Sequence, residues 1–139
     1  MTSGANTTFH SRINQNSIYP PETNRYYLFS AKTCPFAHRV EIIRNLKSLD
    51  YFVKIVYADP SFKFSGWQLD YDYNRSDITP VPQCKTLKDL YDLACPGYTG
   101  KCTLPLLYDS KTKTIVNNES SEIIKIFNSD FNILTNKTD

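Results

Sequence analysis

Cys34 is the residue with the most chemistry to offer. It stands between an aromatic, apolar run, Arg25–Ser30, and a stretch to Ser48 in which Phe36, Val40, Ile43 and Leu46 recur at helical spacing. A cysteine at such a strand-to-helix junction faces the free N–H groups of the first helical turn and the positive end of the helix dipole. That setting can lower a thiol pKa from about 8.5 into the ~3.5–7.5 range and so supply a thiolate, the nucleophile of disulfide exchange. Pro35 suits the first helical position, where its missing N–H is not needed. The alternative is a buried structural thiol. Where a Cys-x-x-Cys motif would place a resolving thiol, the chain has Ala37. Chemistry through Cys34 is therefore monothiol and needs an external thiol.

Two further pairs could hold a ligand. Thr103-Leu104-Pro105 puts a proline inside a strand pattern, where it cannot donate to a ladder. A cis Leu104–Pro105 bond would leave the Leu104 backbone free to pair with an extended ligand; an edge-strand proline in trans is the alternative. Glu119-Ser120 opens the last predicted helix. There a hydroxyl and helix amides could take a carboxylate while Glu119 takes an ammonium, gripping an amino-acid head group. Plain helix capping by Asn118 and Ser120 explains the same residues. Trp67 could wall a ligand site or close the core. Lys101 could meet a carboxylate or be a solvated lysine. His38 reads as a packing or surface residue, because an acidic thiol needs no base. Cys84, Cys95 and Cys102 lack zinc-ligand spacing and read as structural thiols, so no metal is expected.

The elements that must position these residues follow from the patterns around them. Arg25–Ser30 and Tyr51–Tyr57 are β-rich and joined by a helix, which makes a βαβ unit with parallel pairing. The stretch from Ala58 to Lys85 is irregular and long for a small domain. Thr86–Ala94 carries Leu87, Leu90, Tyr91 and Ala94 on one helical face, and Pro96-Gly97 ends it. Thr103–Tyr108 and Lys113–Val116 form a hairpin around Asp109-Ser110-Lys111. Asn117-Asn118 offers an N-cap for a last helix, Ser120–Phe127. The order β-α-β-α-β-β-α is that of an α/β, thioredoxin-like domain with a mixed four-stranded sheet, βαβ then ββα, and flanking helices.

Composition narrows the class. The 139 residues carry 16 Lys+Arg against 14 Asp+Glu, a formal charge of +2, with 40% hydrophobic and 14% aromatic residues. That supports one globular domain and argues against a nucleic-acid or membrane-surface binder. No apolar run approaches the roughly 18 residues of a membrane helix. The N-terminus lacks the apolar core of a signal peptide, and four cysteines in this length do not make a disulfide scaffold. These features imply a cytoplasmic location with reduced thiols. The acid-poor, Ser-rich start gives weak support to mitochondrial targeting. Residues 1–24 read as a flexible polar arm and 132–139 as a frayed tail.

The motifs together resemble a known family. Cys34-Pro35-Phe36-Ala37-His38-Arg39, Gly66-Trp67, Pro96–Lys101, Thr103–Asp109 and Ile115–Ile124 are similar to the N-terminal domain of the xi-class glutathione transferases. These are the glutathionyl-hydroquinone reductases, with fungal omega-like relatives. The resemblance implies that residues 25–131 are a thioredoxin-like, glutathione-binding domain. It implies glutathione as co-substrate and glutathionylated small molecules as substrates. Cys34 would be the catalytic thiol, Leu104 and cis Pro105 the pairing site for the cysteinyl unit, and Glu119 and Ser120 the γ-glutamyl clamp. Trp67 would be the site tryptophan and Lys101 a further glutathione contact. Phe36 and Leu104 stand where the family more often has tryptophan and valine. The chain stops at Asp139, before the family's helical domain would begin. An apolar face is thus expected to be open to a homodimer or a helical partner, and the rival reading is a non-catalytic glutathione-binding module.

Overall fold

The computed structural model describes residues 9–61, 66–70 and 79–135. Its sheet has the order β2-β1-β3-β4. The central strand β1 (Tyr26–Ser30) pairs parallel with β2 (Val53–Tyr57) and antiparallel with β3 (Leu106–Asp109); β4 (Thr114–Asn117) closes the far edge against β3. The helices are α1 (Pro35–Leu46), α2 (Leu87–Ala94) and α3 (Ser120–Lys125), the last running through a π-helical turn, Ile126–Asp130, into α4 (Asn132–Thr135). This is the thioredoxin-like α/β architecture expected of the sequence. Part of the long irregular stretch after β2, residues 62–65 and 71–78, lies outside the described residues.

Strand periodicity of two sorts the side chains onto two cores. Tyr27 and Phe29 of β1, Val56 of β2, and Leu106 and Tyr108 of β3 face one side, where α2 adds Leu87, Leu90 and Tyr91. Tyr26 and Leu28, Val53 and Ile55, and Leu107 face the other, where α1 adds Val40 and the C-terminal helices add Ile123, Ile126, Phe127 and Phe131. Both faces are covered, so the strands read as near-continuous apolar runs rather than clean alternations. α2 starts on a capping box: Thr86 Oγ1 accepts from the Asp89 amide at 3.1 Å, and the Asp89 carboxylate accepts from the Thr86 amide at 3.1 Å.

The segment read as a flexible arm departs from that expectation from Phe9 onward. Phe9 is buried in the first core, edge-on to Tyr91 at 5.8 Å, while Ile13 and Tyr19 are buried in the second. The Ser11 amide donates to the Val116 carbonyl at 3.0 Å, and Arg12 clasps Asp130 with two bonds of 2.7 and 2.8 Å. His10 Nδ1 lies 2.7 Å from Glu122 Oε1. The apolar residues of this strap are spaced with no helical or strand period, so pattern alone does not reveal them. Of the tail read as frayed, Asn132–Thr135 is helical, and residues 136–139 lie outside the described residues.

One buried ion pair ties the strap to the sheet. Arg25 donates to both Asp109 oxygens at 2.7 Å, to the Ile18 carbonyl at 2.7 Å and to Glu22 at 3.1 Å. Burial pushes the Asp109 carboxyl up, but bonds from Arg25, Thr112 and the Lys111 amide outweigh it and hold the group below the ordinary carboxylate range.

Candidate functional site

Cys34 is the N-cap of α1. Its backbone is extended (φ −98°, ψ 109°), Pro35 follows at the first helical position, and the His38 amide donates to its carbonyl at 3.0 Å. The strand–cysteine–proline–helix order of the sequence therefore produces the junction expected of it. Cys34 Sγ lies 3.7 Å from the Leu104 carbonyl oxygen, and the residue is 8% exposed.

Leu104 leads into the cleft. The Leu104–Pro105 bond is cis, and β3 begins only at Leu106, so both residues stand ahead of the ladder. Across from them the chain turns from β4 into α3. Phe36, Thr103, Leu104, Pro105, Asn118, Glu119 and Ser120 line a cleft of about 240 Å³. Four of the sequence-selected residues are thus brought together on one cleft, with the Cys34 sulfur behind its Leu104 wall.

The cap of α3 differs from the expectation. Glu119, not Asn118, is the N-cap, and its Oε1 accepts from the Ser121 amide and hydroxyl, each at 3.2 Å. Asn117 Oδ1 instead accepts the Glu119 amide at 2.9 Å, and Asn118 Nδ2 donates to the Tyr91 hydroxyl at 3.0 Å. Among the described residues Glu119 Oε2 takes no hydrogen bond. The carboxylate therefore caps its helix with one oxygen and leaves the other without a hydrogen bond from the described residues, on a residue that lines the cleft.

Trp67 and Lys101 do not line this cleft. Trp67 is half-buried against the first core, and its carbonyl accepts the Leu87 amide at 2.9 Å. Lys101 is exposed; its carbonyl accepts the Tyr98 hydroxyl at 2.7 Å. Two contributors escaped sequence reasoning. The fully buried Tyr91 hydroxyl donates to the Thr103 carbonyl at 2.8 Å and accepts from the Thr103 amide at 3.2 Å and from Asn118, pinning both walls of the cleft. Arg39 donates to Ser120 Oγ through Nη2 at 2.5 Å and Nε at 3.2 Å. Tyr91 reads as one more apolar residue of a helix face, and nothing in the sequence pairs Arg39 with a residue 81 positions away.

The other thiols are set apart by their surroundings. Burial pushes the Cys84 and Cys102 thiols up. All four cysteines are free. At pH 7, iodoacetamide is expected to alkylate Cys34 first, since thiols at helix N-termini are the reactive ones. Peptide mass spectrometry over time reads this out; Cys84 or Cys102 keeping pace with Cys34 would overturn it. Among the described residues no group of three or more His, Cys, Asp or Glu side chains could hold a metal ion. No helix among them is long and apolar enough to cross a membrane.

Residues 33–130 match the glutathione S-transferase N-terminal domain, and the chain belongs to that family. It is 39% identical over 127 residues to glutathione S-transferase omega-like 2 of Schizosaccharomyces pombe, covering 91% of this chain and 40% of that protein. It is 40% identical over 113 residues to glutathionyl-hydroquinone reductase YqjG of Escherichia coli, covering 81% of this chain and 34% of that protein. The glutathione-bound structure of YqjG superposes with a TM-score of 0.84 at 34% identity, over 94% of this chain and 45% of that one. The xi-class transferase of Phanerochaete chrysosporium superposes with a TM-score of 0.83 at 40% identity, over 91% and 43% of the two chains. The chain thus spans less than half the length of these relatives. Its relatives are xi-class and omega-like glutathione transferases and glutathionyl-hydroquinone reductases, as the motifs around Cys34 and Glu119-Ser120 imply.

Proposed function

We propose that the chain is a glutathione-dependent thiol oxidoreductase that works through Cys34 alone. The observation that carries this reading is the placement of the Cys34 sulfur 3.7 Å from the carbonyl of Leu104, a residue that lines a cleft together with Pro105, Glu119 and Ser120. In this reading the Leu104 backbone pairs with the cysteinyl unit of glutathione beside Pro105. Glu119 takes the ammonium of the γ-glutamyl head group and Ser120 its carboxylate. Trp67 and Lys101 lie outside the cleft lining and serve, if the ligand extends toward them, as outer contacts.

The chemistry is two exchanges. The Cys34 thiolate attacks the glutathione sulfur of a glutathionylated disulfide and expels the other thiolate, leaving a Cys34–glutathione disulfide. A second glutathione thiolate attacks the glutathione sulfur of that disulfide, releases glutathione disulfide and restores Cys34. Hydroquinone reduction, named for the relative YqjG, would need an aromatic substrate positioned beside Cys34, and such positioning can contribute several kcal/mol to rate. The substrates proposed here are therefore small glutathione mixed disulfides. The low exposure of Cys34 favours a second reading, a glutathione-binding module without turnover.

Titration calorimetry with glutathione, beside a turnover assay on a glutathione mixed disulfide, separates the two. Glu119→Ala is expected to weaken glutathione binding about tenfold or more, on the order of 1.4 kcal/mol. A melting curve must accompany it, because loss of an N-cap costs about 1 kcal/mol. No glutathione affinity at millimolar concentration would remove both readings. Ile42 and Leu46, one turn apart on α1, are exposed apolar residues, as is Phe36. A second copy or a helical partner seated on that helix is the partner reading. Sedimentation showing a monomer at all concentrations would remove self-association.

A further inference from the structure

We propose that the N-terminal strap braces the cleft, with His10 and Asn117 as the positioning residues that carry its hold to Glu119. The inference rests on the glutathione reading above and adds to it a coupling between ligand and strap. The strap lies along the edge strand β4 as a short extra partner. His10 bridges antiparallel to Asn117, and the Ser11 amide donates to the Val116 carbonyl at 3.0 Å. None of Phe9, His10, Ser11 and Asn117 lines the cleft.

Two routes lead from the strap to the cleft walls. The first runs through Asn117. Its Nδ2 group donates to the Ser11 carbonyl and to Glu122 Oε1, both at 3.0 Å, and the same Glu122 oxygen lies 2.7 Å from His10 Nδ1. A carboxylate only accepts, so Glu122 faces N–H groups of both residues. With two acceptors on one side, the Asn117 amide has one orientation, and its Oδ1 must face the other way. There it accepts the Glu119 amide at 2.9 Å, at the residue from which α3 starts. Take away Ser11 and His10, and the amide loses one acceptor outright and the group that holds the other. The second route runs through Phe9. Its carbonyl accepts the Asn118 amide at 3.2 Å, and its ring packs against Tyr91 at 5.8 Å and Tyr98 at 5.4 Å. The Tyr91 hydroxyl holds Thr103 and Asn118, one on each wall. A ligand spanning the walls and a docked strap therefore favour the same arrangement, and by linkage each strengthens the other by the same factor.

The test begins with the wild-type protein. Saturating glutathione is expected to slow hydrogen exchange at the Ser11 amide about fivefold, the low end of the usual range for coupled sites. His10→Ala, at an exposed side chain, is expected to weaken glutathione binding about fivefold by calorimetry. His10→Asn, whose Nδ2 stands where the imidazole Nδ1 does, is expected to bring it back to within about twofold. Arg12→Ala is the control, because it loosens the strap at Asp130, away from the cleft. It is expected to lower the melting temperature and leave glutathione affinity within about twofold. A His10→Ala protein that melts lower but binds glutathione unchanged would make His10 a structural contact only and overturn the proposal. Ser11 exchange indifferent to glutathione would overturn it too, as would equal losses of affinity in Arg12→Ala and His10→Ala. Each of these outcomes leaves the glutathione reading standing. A wild-type protein that binds no glutathione at millimolar concentration overturns the proposal together with that reading.

Discussion

Cys34→Ser is expected to lower turnover of a glutathione mixed disulfide by roughly 10³-fold or more, about 4 kcal/mol in the barrier, while glutathione affinity stays within about twofold. A serine hydroxyl is not ionised near neutral pH, and disulfide exchange requires a sulfur nucleophile that can also leave. Binding is expected to survive because the cleft is lined by Thr103, Leu104, Pro105, Asn118, Glu119 and Ser120, not by the cysteine side chain. The Sγ contact with the Leu104 carbonyl is long, at 3.7 Å, and its loss costs little. Stopped-flow or coupled-assay rates beside calorimetry check both halves. A serine variant that retains a tenth of wild-type turnover would move the reaction to another thiol or to glutathione acting alone.

Asp109→Asn is expected to destabilise the fold by about 3–5 kcal/mol, because it removes the charge of one partner of a buried pair and leaves the Arg25 guanidinium only the half-exposed Glu22 as a counter-charge. Arg25 is 5% exposed and Asp109 is fully buried. The carboxylate also accepts the Lys111 amide at 3.0 Å and the Thr112 hydroxyl at 2.6 Å, so the change loosens the β3–β4 turn as well as the strap. Urea unfolding followed by circular dichroism measures the loss; a change below about 1 kcal/mol would show that the pair contributes no more than an exposed one. The same group sets an acid limit. Its carboxyl is held below the ordinary range in the folded state, as is that of Glu122 through His10 and Asn117. Each contributes stability that is present above the unfolded carboxylate pKa of about 4 and is lost as pH falls through the lower folded value.

Strong local signals were legible in the sequence. The aromatic β1, the helix opened by Cys34-Pro35 and the turn at Asp109-Ser110-Lys111 each carry their structure in a few adjacent residues. The cleft residues Leu104, Pro105, Glu119 and Ser120 were legible for the same reason: each pair sits where an element begins. What escaped is what depends on distant partners. Arg25 and Asp109 are 84 positions apart, Tyr91 meets Asn118 across 27, and the strap meets α3 across more than a hundred. None of these residues has a local pattern that distinguishes it from a surface arginine, a core tyrosine or a polar arm. The cap at Glu119 was misassigned to Asn118 because two asparagines precede it, and Asn118 is drawn to the Tyr91 hydroxyl instead.

The strap bears on how the protein is made. A ribosome releases Phe9, Ile13 and Tyr19 early, yet the groups that bury or clasp this segment come late. His10 waits for Glu122, 112 residues on, and Arg12 for Asp130, 118 residues on. At about 5–20 residues per second that delay is roughly 6–24 s. Until β3 (Leu106–Asp109) is made, late in that interval, β1 has only β2 as a neighbour and its other edge stands open. The nascent chain therefore presents an apolar segment and an unpaired strand edge together, the pair of features that chaperones shield. The strap from Phe9 to Tyr19, which precedes every strand of the sheet, is among the last segments to be folded.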